Sequence, residues 1–296
     1  SPLRLSPRED PQATYKRSAK GLGKGQKTMD KDLYTRPIDA GEGIRVVETD
    51  VDLYWHMAYE LYEVAERSAA QGREVACIVP VGPTFQYRRF AWLVDRRPVD
   101  LSRLRLFFMD EYLENGALID EESALSFRGF IRRELLEPLV GQFEPSQVQF
   151  PNPADPAAYD AALEEAGGAE VCFAGVGING HLAFNEPPAH DDPTFRDAPT
   201  RVVDLTPHTI TINSNTALGG AWERIPPQAI TVGMKQILSS RRLMVYLNRP
   251  WQRAVARKML WGPVTATFPA SYAQEHGNCV VTMTREVAAP PDFGLR

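Results

Sequence analysis

The chain has 296 residues, 43% of them apolar, so it can bury a full core in one large α/β domain or in two smaller ones. Its 33 Lys and Arg against 38 Asp and Glu leave a net charge of −5, and no apolar run approaches the roughly 18 residues a membrane span needs. Five histidines never pair at His-x-x-x-His spacing, and Cys77, Cys172 and Cys279 fall singly in apolar runs, so neither a metal site nor a disulfide framework is expected.

Residues 1–36 carry nine Lys and Arg against four Asp and Glu, which leaves −10 on the remainder. From 1 to about 42 the chain is rich in Pro, Gly, Lys and Arg without periodicity. The run Gly21-Leu22-Gly23-Lys24-Gly25 follows no strand and opens no helix, so it reads as flexible rather than as a phosphate loop. Without aromatic interleaving or a helical period this basic stretch reads as a solvated or self-docking tail, and no nucleic-acid partner is expected. Residues 1–42 are therefore assigned to a basic flexible extension and 43–296 to a single domain. Ser1-Pro2-Leu3-Arg4 lacks the charged-then-apolar order of a secretion signal, and a cytoplasmic location is expected.

A first strand is predicted at 44–48, and Asp50 can cap a helix whose Tyr54, Met57, Ala58, Leu61, Val64 and Ala65 share one face. The aromatic and Met residues of that stripe read as core, and no cofactor is expected. A second strand at 74–79 runs into Pro80-Val81-Gly82-Pro83-Thr84 and a helix over 85–94. Strand, Gly-containing turn and helix make a natural anion site, since both turn and helix start present N–H groups. A third strand at 104–109 ends at Asp110 and Glu111, and Ser123 can cap a helix reaching 136. A helix ending at 165 precedes a fourth strand at 170–174, and further strands are read near 201–205, 229–232, 243–247 and 279–283. Alternating strands and helices predict an α/β fold: a doubly wound, mainly parallel, Rossmann-like sheet with helices on both faces.

The stretch Ala174-Gly175-Val176-Gly177-Ile178-Asn179-Gly180-His181-Leu182-Ala183-Phe184-Asn185-Glu186-Pro187 follows the fourth strand directly. Ligands bind at that edge of an open α/β sheet, and three glycines in six residues allow tight turns and close approach. Gly82 to Thr84, Asp110 to Tyr112 and Asn179 to Glu186 all follow predicted strands, so they converge on one edge. The residues alone describe a sugar- or nucleotide-sized cleft with a carboxylate pair, one His and a turn suited to an anion. An isomerase, a hydrolase and a sensor all remain open on that description.

The glycine string resembles the signature of the glucosamine-6-phosphate deaminase (isomerase) family. Phe108-Met109-Asp110-Glu111-Tyr112 is similar to that family's Met-Asp-Glu-Tyr, and Ile230-Thr231-Val232-Gly233-Met234 to its Leu-Thr-Val-Gly. The resemblance spans roughly 44 to 283. It implies opening of an amino-sugar phosphate ring, a proton shift between C2 and C1, and release of ammonia to leave a ketose phosphate. Asp110 matches the family's base, although its carboxylate could instead cap the following turn. His181 matches the ring-opening group, since an imidazole can give and take a proton near neutral pH. Glu186 would orient and charge-stabilise it, as a carboxylate does in other triads. Asn179, where the family shows Asp or Asn, can hold the imidazole ring by hydrogen bonding but cannot stabilise imidazolium. Gly82, Thr84, Glu111, Gly177 and Gly180 are expected at the substrate.

The phosphate half departs from the pattern. Pro83 brings no N–H to the turn, Asn215 stands where the family has an Arg, and Trp251 or Gln252 where it has a Lys. Arg88, Arg89, Arg249 or Arg253 would have to substitute, although each also reads as a solvated helix charge. The substrate expected is thus a small sugar, phosphorylated or with a different distal group. A lactonase and a non-enzymatic sugar sensor on the same fold are the alternatives. Family members range from monomers to hexamers, which leaves a homo-oligomer open.

Overall fold

The computed structural model describes residues 33–294, so the basic stretch up to residue 32 lies outside the described residues. Eleven strands are assigned among them: β1 Ile44–Val47, β2 Val75–Val79, β3 Leu104–Phe108, β4 Asp110–Glu114, β5 Ala117–Leu118, β6 Val148–Gln149, β7 Ala169–Ala174, β8 Arg201–Asp204, β9 Gln228–Thr231, β10 Leu243–Leu247 and β11 Cys279–Thr284. The helices are α1 Asp50–Gln71, α2 Gln86–Arg96, α3 Phe127–Ile131, α4 Pro156–Glu165, α5 Pro207–Ala217, α6 Met234–Leu238, α7 Gln252–Trp261 and α8 Arg285–Ala288. None is long and apolar enough to cross a membrane.

Seven strands form a wholly parallel sheet in the order β1-β11-β10-β7-β2-β3-β6. β2 (VACIV) and β10 (LMVYL) are buried at every residue, as continuous apolar runs must be when helices cover both faces. One face packs against α1 and α2 through Leu53, Leu61, Tyr87 and Phe90. The other packs against α4, α6, α7 and α8 through Tyr159, Ile237, Met259 and Val287. From β2 the chain steps outward to β3 and β6, then returns to β7 on the opposite side and continues to β10 and β11. The order therefore reverses between β2 and β7, and a crevice opens where such a reversal occurs.

The predicted strands near 201–205 and 229–232 do not extend that sheet. They are β8 and β9 of a second, four-stranded antiparallel sheet, β5-β4-β9-β8. The Met-Asp-Glu-Tyr segment, expected at the C-terminal end of the third strand, supplies its strand β4. β3 passes into β4 at Met109, whose N–H donates to Val79 O at 3.1 Å and whose carbonyl accepts from Val232 N–H at 2.7 Å. A small core of Tyr112, Phe184, Leu205 and Ile225 holds this sheet over the parallel strands' C-terminal ends.

Two local expectations are corrected. Thr49, not Asp50, caps α1, in a capping box with Asp52. Ser126, not Ser123, caps α3, which continues as a π-helical turn over Arg132–Leu136. The described end of the extension is fastened to the domain: Leu33 and Ile38 are buried, and Arg257 donates to Arg36 O at 2.8 Å.

Candidate active site

A cleft of about 220 Å³ lies over the C-terminal ends of β10, β7, β2 and β3. Its wall at β7 is the glycine loop. Gly177 and Gly180 shape this loop: a side chain on Gly177 would overlap the His181 ring, and Gly180 adopts φ +87° against Phe268. Gly177 N–H donates to His181 O at 2.9 Å and Gly180 N–H to Gly177 O at 3.0 Å, closing the loop so that the imidazole lines the cleft. Ala183, which also lines the cleft, holds φ +53°, a conformation rare outside glycine.

Behind His181 is a polar cluster. Glu186 Oε2 lies 3.7 Å from His181 Nδ1, and Thr209 Oγ1 lies 3.2 Å from the same nitrogen. Glu186 accepts from Asn179 Nδ2 at 2.6 Å and from the Thr206 N–H and hydroxyl, each at 3.1 Å. Thr206 is the N-cap of α5, so the carboxylate also faces the positive end of that helix. Burial pushes the Glu186 carboxyl up, but the His181 imidazole with its charge, Thr209 and Asn179 outweigh it and hold the group down at about 2. Glu186 is thus an anion throughout the working pH range.

Asp110 opens β4 on the other side of the cleft and is only 8% exposed. Burial first, and then the neighbouring Glu111 charge, hold its carboxyl well above the usual carboxylate range. A buried carboxyl with a raised pKa in a cleft is suited to proton transfer near neutrality. Successive residues of a strand point to opposite faces, so Glu111 turns away. It accepts from Tyr112 N–H and Phe127 N–H at 3.0 Å, Ser126 Oγ at 3.0 Å, and Arg128 N–H at 2.9 Å, anchoring the start of α3.

No protein-family model matches the chain. A curated glucosamine-6-phosphate deaminase from Corynebacterium aurimucosum is 32% identical over 213 residues, covering 70% of this chain and 79% of the relative. The chain belongs to the glucosamine-6-phosphate deaminase family. A monomeric glucosamine-6-phosphate deaminase superposes with a TM-score of 0.70 at 22% identity, covering 83% of this chain and 98% of the other. A 6-phosphogluconolactonase from Trypanosoma cruzi reaches 0.61 at 15% identity over 86% and 96% of the two chains. Both share the fold.

In this family member Gly82, Asp110, Gly177 and His181 reach the cleft. Asn179 and Glu186 stand behind His181, and Asn179 holds Glu186 rather than the imidazole ring. Thr84, Gly180 and Glu111, expected at the substrate, do not line the cleft. For Glu111 the reason is the strand alternation of β4.

Four contributors escaped the sequence reading. Thr206 and Thr209 belong to the first turn of α5, and the Thr-Pro step at 206–207 is a helix-start signal that could have located them. Asn213 and Ile212 enter the cleft from the same helix, Asn213 donating to Tyr112 Oη at 2.9 Å. Of the four arginines weighed as cations, only Arg249 lines the cleft. Arg88 pairs with Glu134 at 2.6 Å, Arg89 lies over the Tyr54 and Trp55 rings, and Arg253 pairs with Glu286 at 3.4 Å.

Proposed function

We propose that the protein deaminates a 2-amino-2-deoxy aldose of the glucosamine 6-phosphate kind to the corresponding ketose and ammonia. The observation that carries this reading is the pairing of a buried, high-pKa Asp110 with a Glu186-backed His181 across one small cleft. His181 gives a proton to the ring oxygen and takes one from the anomeric hydroxyl, opening the ring. Asp110 then removes the proton from C2 and returns it to C1, a transfer of the type that contributes about 100- to 10,000-fold. The C2 imine formed adds water and releases ammonia. Glu186 stays anionic and steadies the imidazole whenever it carries a proton, with Asn179 and Thr206 holding Glu186 in turn. Gly82 lets the backbone approach the sugar, and Gly177 makes room for the imidazole.

Ammonia release from 2-amino-2-deoxyhexoses, measured for the wild type and Asp110→Asn, tests the reading. The expected result is release that falls at least about 100-fold in the variant. Thermal stabilisation by such a sugar without ammonia release would replace this reading with that of a sugar-binding protein.

A further inference from the structure

Among the described residues, four ionisable side chains reach the cleft, Asp110, His181, Tyr246 and Arg249, and of these Arg249 is the permanent cation. Its charge acts on the Tyr54 phenol, but its guanidinium makes no hydrogen bond or ion pair with any described residue. The polar groups around it are engaged in the frame. Gln252 accepts from the N–H groups of Asn248 and Arg249 at 2.9 and 2.8 Å and donates to Val176 O at 2.8 Å. Asn248 donates to Tyr54 Oη at 3.0 Å. In the turn after β2, Pro80 and Pro83 face the cleft and have no N–H to offer. Trp251, Phe127 and Phe184 add apolar wall.

Arg249 follows β10 and Asp110 follows β3, with β7 and β2 between them. Three strand spacings are about 14 Å, which the long Arg side chain and a hexose fill together. A sugar with its C1–C2 bond at Asp110 and His181 thus sends its far end toward Arg249.

We infer that this far end carries a single, planar negative charge, a carboxylate, rather than a phosphate dianion. The inference rests on the deaminase reading and narrows its substrate to a 2-amino-2-deoxyhexuronate. A guanidinium presents parallel N–H groups that match both oxygens of a carboxylate, and its one charge neutralises one charge. A dianion would keep an unpaired charge against Trp251, where desolvation makes it costly.

The test is steady-state ammonia release by the full chain from 2-amino-2-deoxyglucuronate, glucosamine 6-phosphate and glucosamine at equal ionic strength, with Arg249→Gln in parallel. The expected kcat/KM for the uronate exceeds the other two by about tenfold or more, and Arg249→Gln abolishes that preference. A ranking led by glucosamine 6-phosphate or by glucosamine, or a uronate preference that survives Arg249→Gln, overturns the inference and leaves the deaminase reading standing. Ammonia from none of the three removes the deaminase reading, and the inference with it.

Discussion

Replacing Glu186 with glutamine removes the charge facing His181 while keeping the side chain's shape. With Nδ1 and Oε2 3.7 Å apart, imidazolium and carboxylate attract by about 4 kcal/mol at an effective dielectric of about 20. That support is lost from every step in which His181 carries a proton, so kcat is expected to fall about 100-fold. Stability follows from the same group. A carboxyl held at about 2 instead of its ordinary 4.5 stabilises the fold by about 2–3 kcal/mol after allowance for screening at the cleft mouth. Because the folded value is depressed, this stabilisation is complete above 4.5 and disappears as the pH falls toward 2. Urea unfolding at about pH 7, 5, 4 and 3 should therefore show the wild type losing about 1–2 kcal/mol more than Glu186→Gln between pH 5 and pH 3. A stability gap that does not change over this range would refute the assignment of Glu186 as a buried, anchored anion.

Asp110→Asn should raise the Tm at pH 7 by about 2–4 °C and leave it unchanged near pH 3. The folded carboxyl is raised above its ordinary value, so its cost appears only once the unfolded chain ionises, and asparagine escapes it. Thr209→Val keeps the volume but deletes the hydroxyl 3.2 Å from His181 Nδ1, and kcat should drop about tenfold with KM nearly unchanged, as read in steady-state assays. Gly177→Ala places a methyl where the imidazole sits, so activity should be lost while far-UV circular dichroism stays that of the wild type. Arg257→Met strips donors from the carbonyls of Arg36, Arg253, Val287 and Ala288 and should cost about 3–5 kcal/mol in urea unfolding, remote from the cleft.

Several parts of this architecture are legible in the residues alone. β2 and β10 are short, unbroken apolar runs, which only a strand covered on both faces can use. Asp110, His181 and Glu186 sit in local strings placed directly after such runs, so their gathering at one sheet edge follows from parallel topology. The antiparallel sheet is not legible in the same way. β4 is buried at its first four residues and lacks the alternation that announces a strand, because it lies between the small core and the parallel sheet. Its alternation nevertheless decides which of two adjacent carboxylates meets the cleft: Asp110 does, and Glu111 anchors α3.

The chain by itself determined the fold class, the loop at the end of β7 and the residue types available for proton transfer, since each depends on neighbours within a few positions. Tertiary packing decided which of those residues act together. Asn179, Thr206 and Thr209 surround Glu186 and His181 only because the start of α5 docks on the glycine loop. Arg88, Arg89, Arg249 and Arg253 look alike as surface cations in the sequence. Glu134, the Tyr54 and Trp55 rings and Glu286 hold three of them elsewhere, and Arg249 is left facing the cleft. Charge pairing is settled by distance in space, and distance in space between residues far apart in sequence exists only once the chain has folded.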